Sequence, residues 1–272
     1  MSDIFTTIVI ADSRGRGLDD FVGNHPTPIN HQYVFEIKPG KSLAQLTPFI
    51  ISKLNAYDSD NTYCIVFAGI CGLTDKIINR GTNSLRYKEV FREDKIACNI
   101  DTAKFLKNSF GDKINFCNIV PADLINYFRI HNQGRPIPDF LVHEQLALEE
   151  DITIINKVLL DLNSKFITNI NICSRFQLKS KKKRQRSGNK VVYRRVAKFN
   201  YSELIDGVHF SERLKSQLFG LILNTAIRDL SSTSPNPHFE EAHRQQPRPV
   251  GFQNLRIVID NSTSIESDSD SD

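Results

Sequence analysis

The sequence predicts an α/β fold, a three-layer α/β/α arrangement around a five-stranded parallel sheet. Short β-branched apolar runs alternate with longer stretches of helical apolar spacing, the pattern of βαβ units. The first four runs each end in a loop carrying Gly or Pro, as strand ends do. The 272 residues, 40% of them hydrophobic, suffice for one α/β domain with a sizeable core.

The first strand is Phe5 to Ala11, FTTIVIA, a run expected to be buried on both faces. Tyr33 to Ile37 forms the second, closed by Pro39-Gly40. Ser42 is the expected N-cap of a helix reaching Leu54, with Leu43, Leu46, Phe49, Ile50 and Leu54 on one stripe. Thr62 to Ala68 is the third strand. A helix follows from Tyr87 to Asn108, with the residues before it, 73–86, read as irregular. Lys113 to Val120 is the fourth strand and is stopped by Pro121. The segment 124–140 is also irregular. Leu141 to Lys165 is helical, Ile167 to Cys173 is the fifth strand, and Ser211 to Leu230 is the last helix. Residues 1–230 then form one domain with a basic insertion at 175–198. The tail, 231–272, is rich in Ser, Pro, Asn, Gln and charge and is expected to be mostly disordered, with the apolar run Leu255 to Ile259 as its exception.

Composition narrows the function. No run approaches the ~18 apolar residues that span a bilayer, and the N-terminus lacks a basic leader segment. An intracellular protein, cytoplasmic or nuclear, is the expectation. The five Cys are odd in number and match no C-x-x-C spacing. Cys64, Cys117 and Cys173 sit in strand-like runs and read as core thiols. No metal site and no cofactor is expected.

Two segments point to chemistry. The first strand ends in Ala11-Asp12-Ser13-Arg14-Gly15, where Ser13 either turns its hydroxyl into the crevice or caps the following helix. Near the end stands Asp206-Gly207-Val208-His209. A Ser nucleophile needs a base, and the base needs a carboxylate to hold its tautomer. Both segments fall at carboxyl ends of strands or just before a helix, where parallel sheets place their ligand sites.

Taken together, these residues resemble the SGNH/GDSL hydrolases. That family is marked by Gly-Asp-Ser after strand one, a Gly after strand two, Gly-x-Asn after strand three and Asp-x-x-His before the last helix. Here the blocks are Ala11-Asp12-Ser13, Pro39-Gly40-Lys41-Ser42-Leu43, Phe67-Ala68-Gly69-Ile70-Cys71 and Asp206-Gly207-Val208-His209, in family order from about Phe5 to Leu230. The resemblance implies a flavodoxin-like SGNH fold and a serine ester hydrolase acting on a small-molecule or acylated substrate. Ser13 would be the nucleophile, His209 its base and Asp206 the orienting carboxylate. The oxyanion hole would come from Ser13, Gly40 and the corner at Cys71.

That corner departs from the family, because Cys71 stands where the Asn amide belongs. A thiol is a weak donor, and losing one oxyanion donor costs about 2.7–4 kcal/mol. Either the enzyme is slow, or a nearby group such as the Gly72 N–H or the Asn79 side chain substitutes, or catalysis is lost while the fold persists. Cys71 as a nucleophile is a further reading.

The net charge of +4 hides an asymmetry. From Arg175 to Lys198 there are many Lys and Arg and no Asp or Glu. Lys181, Lys182, Lys183, Arg184 and Arg186 are its densest part. This segment is either a solvated insertion, a nuclear-import signal or a site for nucleic acid phosphates. A catalytically weakened SGNH-fold binding module, engaging nucleic acid through 179–198, is therefore the alternative to the esterase. Arg14 and Arg16, beside Ser13, read first as a solvated pair and second as a preference for an anionic substrate. Oligomeric state is not legible.

Overall fold

Four strands form a parallel sheet at the centre of the computed structural model, which describes residues 4–24, 30–57, 60–79, 81–88, 92–163, 177–178, 182–187, 190–195 and 198–233. Strand β1 (Phe5–Ala11) is flanked on one side by β2 (His31–Ile37) and on the other by β3 (Thr62–Phe67). Its register runs from Phe5 opposite His31 to Ala11 opposite Ile37, and from Thr6 opposite Thr62 to Ala11 opposite Phe67. A short strand over Ile114–Phe116 completes the order on the outer side of β3, with Cys64 opposite Ile114.

Side chains alternate across a strand, and the two faces are covered by different helices. Ile8, Ile10, Cys64, Val66, Ile114 and Phe116 share one cluster with residues of five helices, three of them long. The three long ones are α1 (Leu43–Ala56), the helix over Arg92–Phe110 and the 24-residue helix over Asp139–Leu162. On the other face, Phe219 of the last helix (Glu212–Thr233) packs against the rings of Tyr33 and Phe35, and Phe67 stacks on Phe210. This is the expected layering. Helix α1 starts as expected: the Ser42 hydroxyl accepts from the Gln45 N–H, and the Gln45 amide reaches back to the Ser42 N–H.

Two segments read as irregular are ordered. After a one-turn helix, α2 (Ile70–Leu73), residues 73–86 form most of an antiparallel hairpin of β4 (Thr74–Asn79) and β5 (Thr82–Tyr87). Numbering the remaining elements in chain order, Arg92–Phe110 is α3, Ile114–Phe116 is β6, Leu124–His131 is α4, Asp139–Leu162 is α5 and Glu212–Thr233 is α6. Helix α4 lies inside the other segment read as irregular. The hairpin strands, TDKIIN and TNSLRY, carry no clean apolar alternation, so their pairing was not legible. Long-range polar contacts hold them instead. Glu144 on α5 receives the Arg86 guanidinium (Nε–Oε1 2.8 Å) and the Tyr87 N–H (3.1 Å), and Asn132 accepts the Asn83 N–H (2.8 Å).

Strand β6 is shorter than the expected 113–120 because helix α5 takes over its bonding. The Asn163 amide pairs with both the N–H and the carbonyl of Phe116, at 3.1 and 2.5 Å. The Asn156 amide does the same for Ile119, at 2.7 and 2.8 Å. Two side-chain amides thus satisfy backbone groups that a neighbouring strand would otherwise meet. The described sheet has four strands where five were expected. The expected fifth, 167–173, and Cys173 with it lie outside the described residues.

The chain divides into a unit over Met1–Ser234 and another over Pro235–Asp272. The second unit, including the run at 255–259, lies wholly outside the described residues. In the basic segment, β7 (Gln177–Leu178) pairs with β10 (Lys198–Phe199), and β8 (Lys182–Ser187) pairs antiparallel with β9 (Lys190–Arg195). Lys181 falls outside the described residues, as do the side chains of Lys182, Lys183, Arg184 and Arg186. Among the described residues, no helix is long and apolar enough to cross a membrane.

Central burial makes Ile10, on β1 and fully buried, a sensitive position. Ile10→Ala is expected to lower unfolding stability by about 2–5 kcal/mol. Urea denaturation reads this directly, and a loss below ~1 kcal/mol would contradict the burial of β1 between the two helix layers.

Candidate active site

The site is built where β1 ends. Asp12 is buried, and its carboxylate caps the 3-10 turn Ser13–Gly15 by accepting the Arg14 N–H at 3.0 Å. Ser13 opens this turn and is half-buried. Gly15 has to be a glycine, since a Cβ there would stand 2.4 Å from that of Ala11 and 2.8 Å from Ile37 Cδ1.

Arg14 contradicts its sequence reading. It is only 2% exposed, while Arg16 is exposed, so the two are not a solvated pair. Its Nε donates to the Val208 carbonyl at 3.0 Å, and its Nη1 donates to the Val120 carbonyl. The guanidinium lies over the Phe210 ring, 5.5 Å from its centroid. The residue after Ser13 therefore ties three places together: the end of β1, the segment after β6 and the turn that carries His209. Nothing in the sequence signalled this, because Arg is rarely buried.

The Asp206–His209 turn is closed on itself. Asp206 Oδ1 accepts the N–H groups of Val208 (2.9 Å) and His209 (2.8 Å), and its Oδ2 accepts from His209 Nδ1 at 2.7 Å. Partial burial works against the Asp206 charge, but these hydrogen bonds outweigh it and hold the carboxyl below the usual carboxylate range. With Nδ1 engaged, Nε2 is the ring nitrogen left to take a proton. The turn also docks on the start of α4. The Asp123 N–H donates to the Gly207 carbonyl at 2.7 Å, and Gly207 has φ +83°. A Cβ at Gly207 would stand 2.4 Å from the Asp123 carbonyl oxygen.

Ser13, Gly40, Cys71, Asp206 and His209 line one cleft of about 830 Å³. Ser13 and His209 also border a smaller recess of about 190 Å³ together with Arg16. The structure thus brings five sequence-nominated residues to one place from four separate loops.

Cys71 sits at the junction of these loops. Its Sγ lies 3.9 Å from Asp12 Oδ2, and the Gly40 N–H is directed at the sulfur. Burial, reinforced by the Asp12 charge, pushes the thiol up to about 12, which works against Cys71 as a thiolate nucleophile. Burial likewise pushes the Asp12 carboxyl upward, opposed by the Arg14 guanidinium, the Arg14 N–H, His209 and the Gly69 N–H. The two substitutes named for the missing amide do not serve. The Gly72 N–H is spent on the Gly69 carbonyl at 3.1 Å, and Asn79 is exposed at the outer end of β4 and takes no part in lining the cleft. Two groups that sequence reasoning passed over do line it: Lys88, whose Nζ lies 3.4 Å from the Cys71 carbonyl, and Asn99 of α3.

Two outcomes follow. Arg14→Lys keeps a charge near Asp12 but cannot fork to two carbonyls, so it is expected to lower the rate of any Ser13-dependent reaction by up to ~10² through displacement of the His209 turn. An unchanged rate in steady-state kinetics would show that the tether is dispensable. Iodoacetamide at pH 8 is expected to alkylate exposed Cys98 and to spare Cys71, as peptide mass spectrometry would read. Modification of Cys71 first would contradict the thiol environment described.

No family model matches the sequence, and no curated protein matches it. Solved structures do. A lipase/acylhydrolase from Enterococcus faecalis is 13% identical with a TM-score of 0.47, over 81% of this chain and 94% of that one. A GDSL-like lipase from Bacteroides thetaiotaomicron is 12% identical with a TM-score of 0.47, over 84% and 89%. An acetyl xylan esterase is 11% identical with a TM-score of 0.47, over 81% and 98%.

Proposed function

We propose that the chain is a serine ester hydrolase of SGNH/GDSL type, with Ser13 as nucleophile, His209 as general base and Asp206 as its orienting carboxylate. The observation that carries this reading is the 2.7 Å Asp206–His209 pair facing the same cleft as Ser13.

In the reaction, Ser13 Oγ attacks the ester carbonyl carbon while His209 Nε2 takes the hydroxyl proton. The carbonyl oxygen becomes an oxyanion, and the backbone N–H groups of Ser13 and Gly40 donate to it. Gly40 can do so at little cost, because the sulfur it now faces is a weak acceptor. The imidazolium, stabilised by Asp206, returns its proton to the departing alkoxide, leaving an acyl-Ser13 ester. Water then repeats the sequence: His209 removes its proton, the acyl carbon is attacked, and Ser13 leaves as the alcohol. Asp206 stays ionised throughout, as its lowered carboxyl requires.

Fluorophosphonate labelling tests the nucleophile. Wild type is expected to label and Ser13→Ala to remain unlabelled, and equal labelling of the two would sink the assignment. Asp206→Asn should reduce kcat by roughly 10⁴ by leaving the wrong His209 tautomer. The corner predicts a gain as well. Cys71→Asn supplies the missing amide and is expected to raise kcat on p-nitrophenyl acetate, by as much as ~10²–10³. If kcat stays level, the corner is not the limiting feature.

A further inference from the structure

The cleft extends past Cys71 between the β4–β5 hairpin and α3, and this part is cationic. Lys76 on β4, Lys88 just after β5 and Lys95 on α3 all line it. Its two carboxylates are both engaged: Asp75 pairs with Lys88 at 2.8 Å, and Asp206 with His209. Lys76 and Lys95 form no ion pair among the described residues. A cleft wall of net positive charge focuses its field on the ligand more strongly than an open surface does.

A second observation lies one helical turn from Lys95. Asn99 is 5% exposed, and its Nδ2 donates to the Lys95 carbonyl at 2.9 Å, yet its Oδ1 has no partner. The amide rests against the turn that carries Cys71: a Cβ placed on Gly72 would lie 3.1 Å from Asn99 Nδ2 and 3.6 Å from Oδ1. A buried acceptor without a donor costs about 1–3 kcal/mol. The wall therefore holds unspent hydrogen-bonding capacity beside unspent positive charge.

We propose that Asn99, Lys76 and Lys95 form a recognition subsite for the alcohol portion of the substrate, and that this portion is an anionic, hydroxyl-bearing molecule. This rests on the esterase reading for the word substrate, but binding at the subsite does not. The lysines take the carboxylate or phosphate, Asn99 turns its sealed and unpartnered Oδ1 outward to take a hydroxyl hydrogen, and the ester carbonyl is left toward Ser13. Lys88 stays tied to Asp75 and the Cys71 carbonyl and sets the boundary between subsite and oxyanion corner. Such a wall disfavours a long hydrocarbon chain, which would strip water from the ammonium groups without replacing it.

The test is calorimetric and uses full-length Ser13→Ala, so no turnover is needed. The probes are glucose, glucuronate and glucose 6-phosphate, which share one ring and differ in charge. At low ionic strength the better of the two anions is expected to bind at least about tenfold tighter than glucose, with the preference shrinking as salt is raised. The stronger anion identifies carboxylate or phosphate as the group recognised. Lys76→Gln/Lys95→Gln should bring that anion to the level of glucose, and Asn99→Asp, an isosteric change that adds a negative charge, should do the same. Equal binding of all three probes, no binding of any, or a charge preference untouched by these variants would overturn the proposal. Fluorophosphonate labelling of the wild type reports separately on Ser13. A chain that takes no label but prefers the anion keeps the subsite and loses the esterase reading.

Discussion

The guanidinium of Arg14 is the contact on which the geometry of the candidate site depends. It is buried, it follows Ser13 directly in the chain, and it reaches the carbonyls of Val120 and Val208 from one planar group. A planar fork can hold two acceptors in fixed directions where an ammonium cannot. Because Val208 precedes His209, the same group that is covalently next to Ser13 also sets where the His209 turn sits. Burying that charge is costly. Two carbonyls, the face of Phe210 and the nearby Asp12 carboxylate offset the cost.

The rest of the site follows from how each loop is closed. Asp206 spends both oxygens within its own turn, which preserves its charge and fixes the His209 ring. Gly207 lets that turn settle against α4 at a distance no side chain would permit. Asp12 plays the matching part at β1, where it caps the Ser13 turn and faces Cys71. In that setting burial and the Asp12 charge both favour the protonated sulfur at position 71.

Side-chain amides do much of the architectural work away from the site. Asn163 and Asn156 take over from strand bonding beside β6, and Asn132 fastens the hairpin at Asn83. The hairpin forms one wall of the cleft and is held chiefly by Glu144 through Arg86 and the Tyr87 N–H. The cleft wall is thus positioned by polar bonds to α4 and α5, while the floor of the cleft is positioned by the apolar sheet.

The sequence by itself determined the elements whose signal is local. FTTIVIA reads as a doubly covered strand because its neighbours along the chain are enough to show it, and Ser42 is recognisable as an N-cap directly before the apolar stripe of α1. The Asp206–His209 pair is equally local, three residues apart in one turn. Tertiary structure decided what depends on residues far apart. The β4–β5 hairpin lacks an apolar period and exists through contacts some 50 residues away in sequence, 58 in the Arg86–Glu144 case. The early end of β6 depends on an amide 47 residues later. Arg14 was misread for the same reason: an arginine is expected in water unless acceptors await it inside, and here the two acceptors are 106 and 194 residues distant. Local pattern records which face an element buries, but only the assembled chain reveals which buried polar group has found its partner.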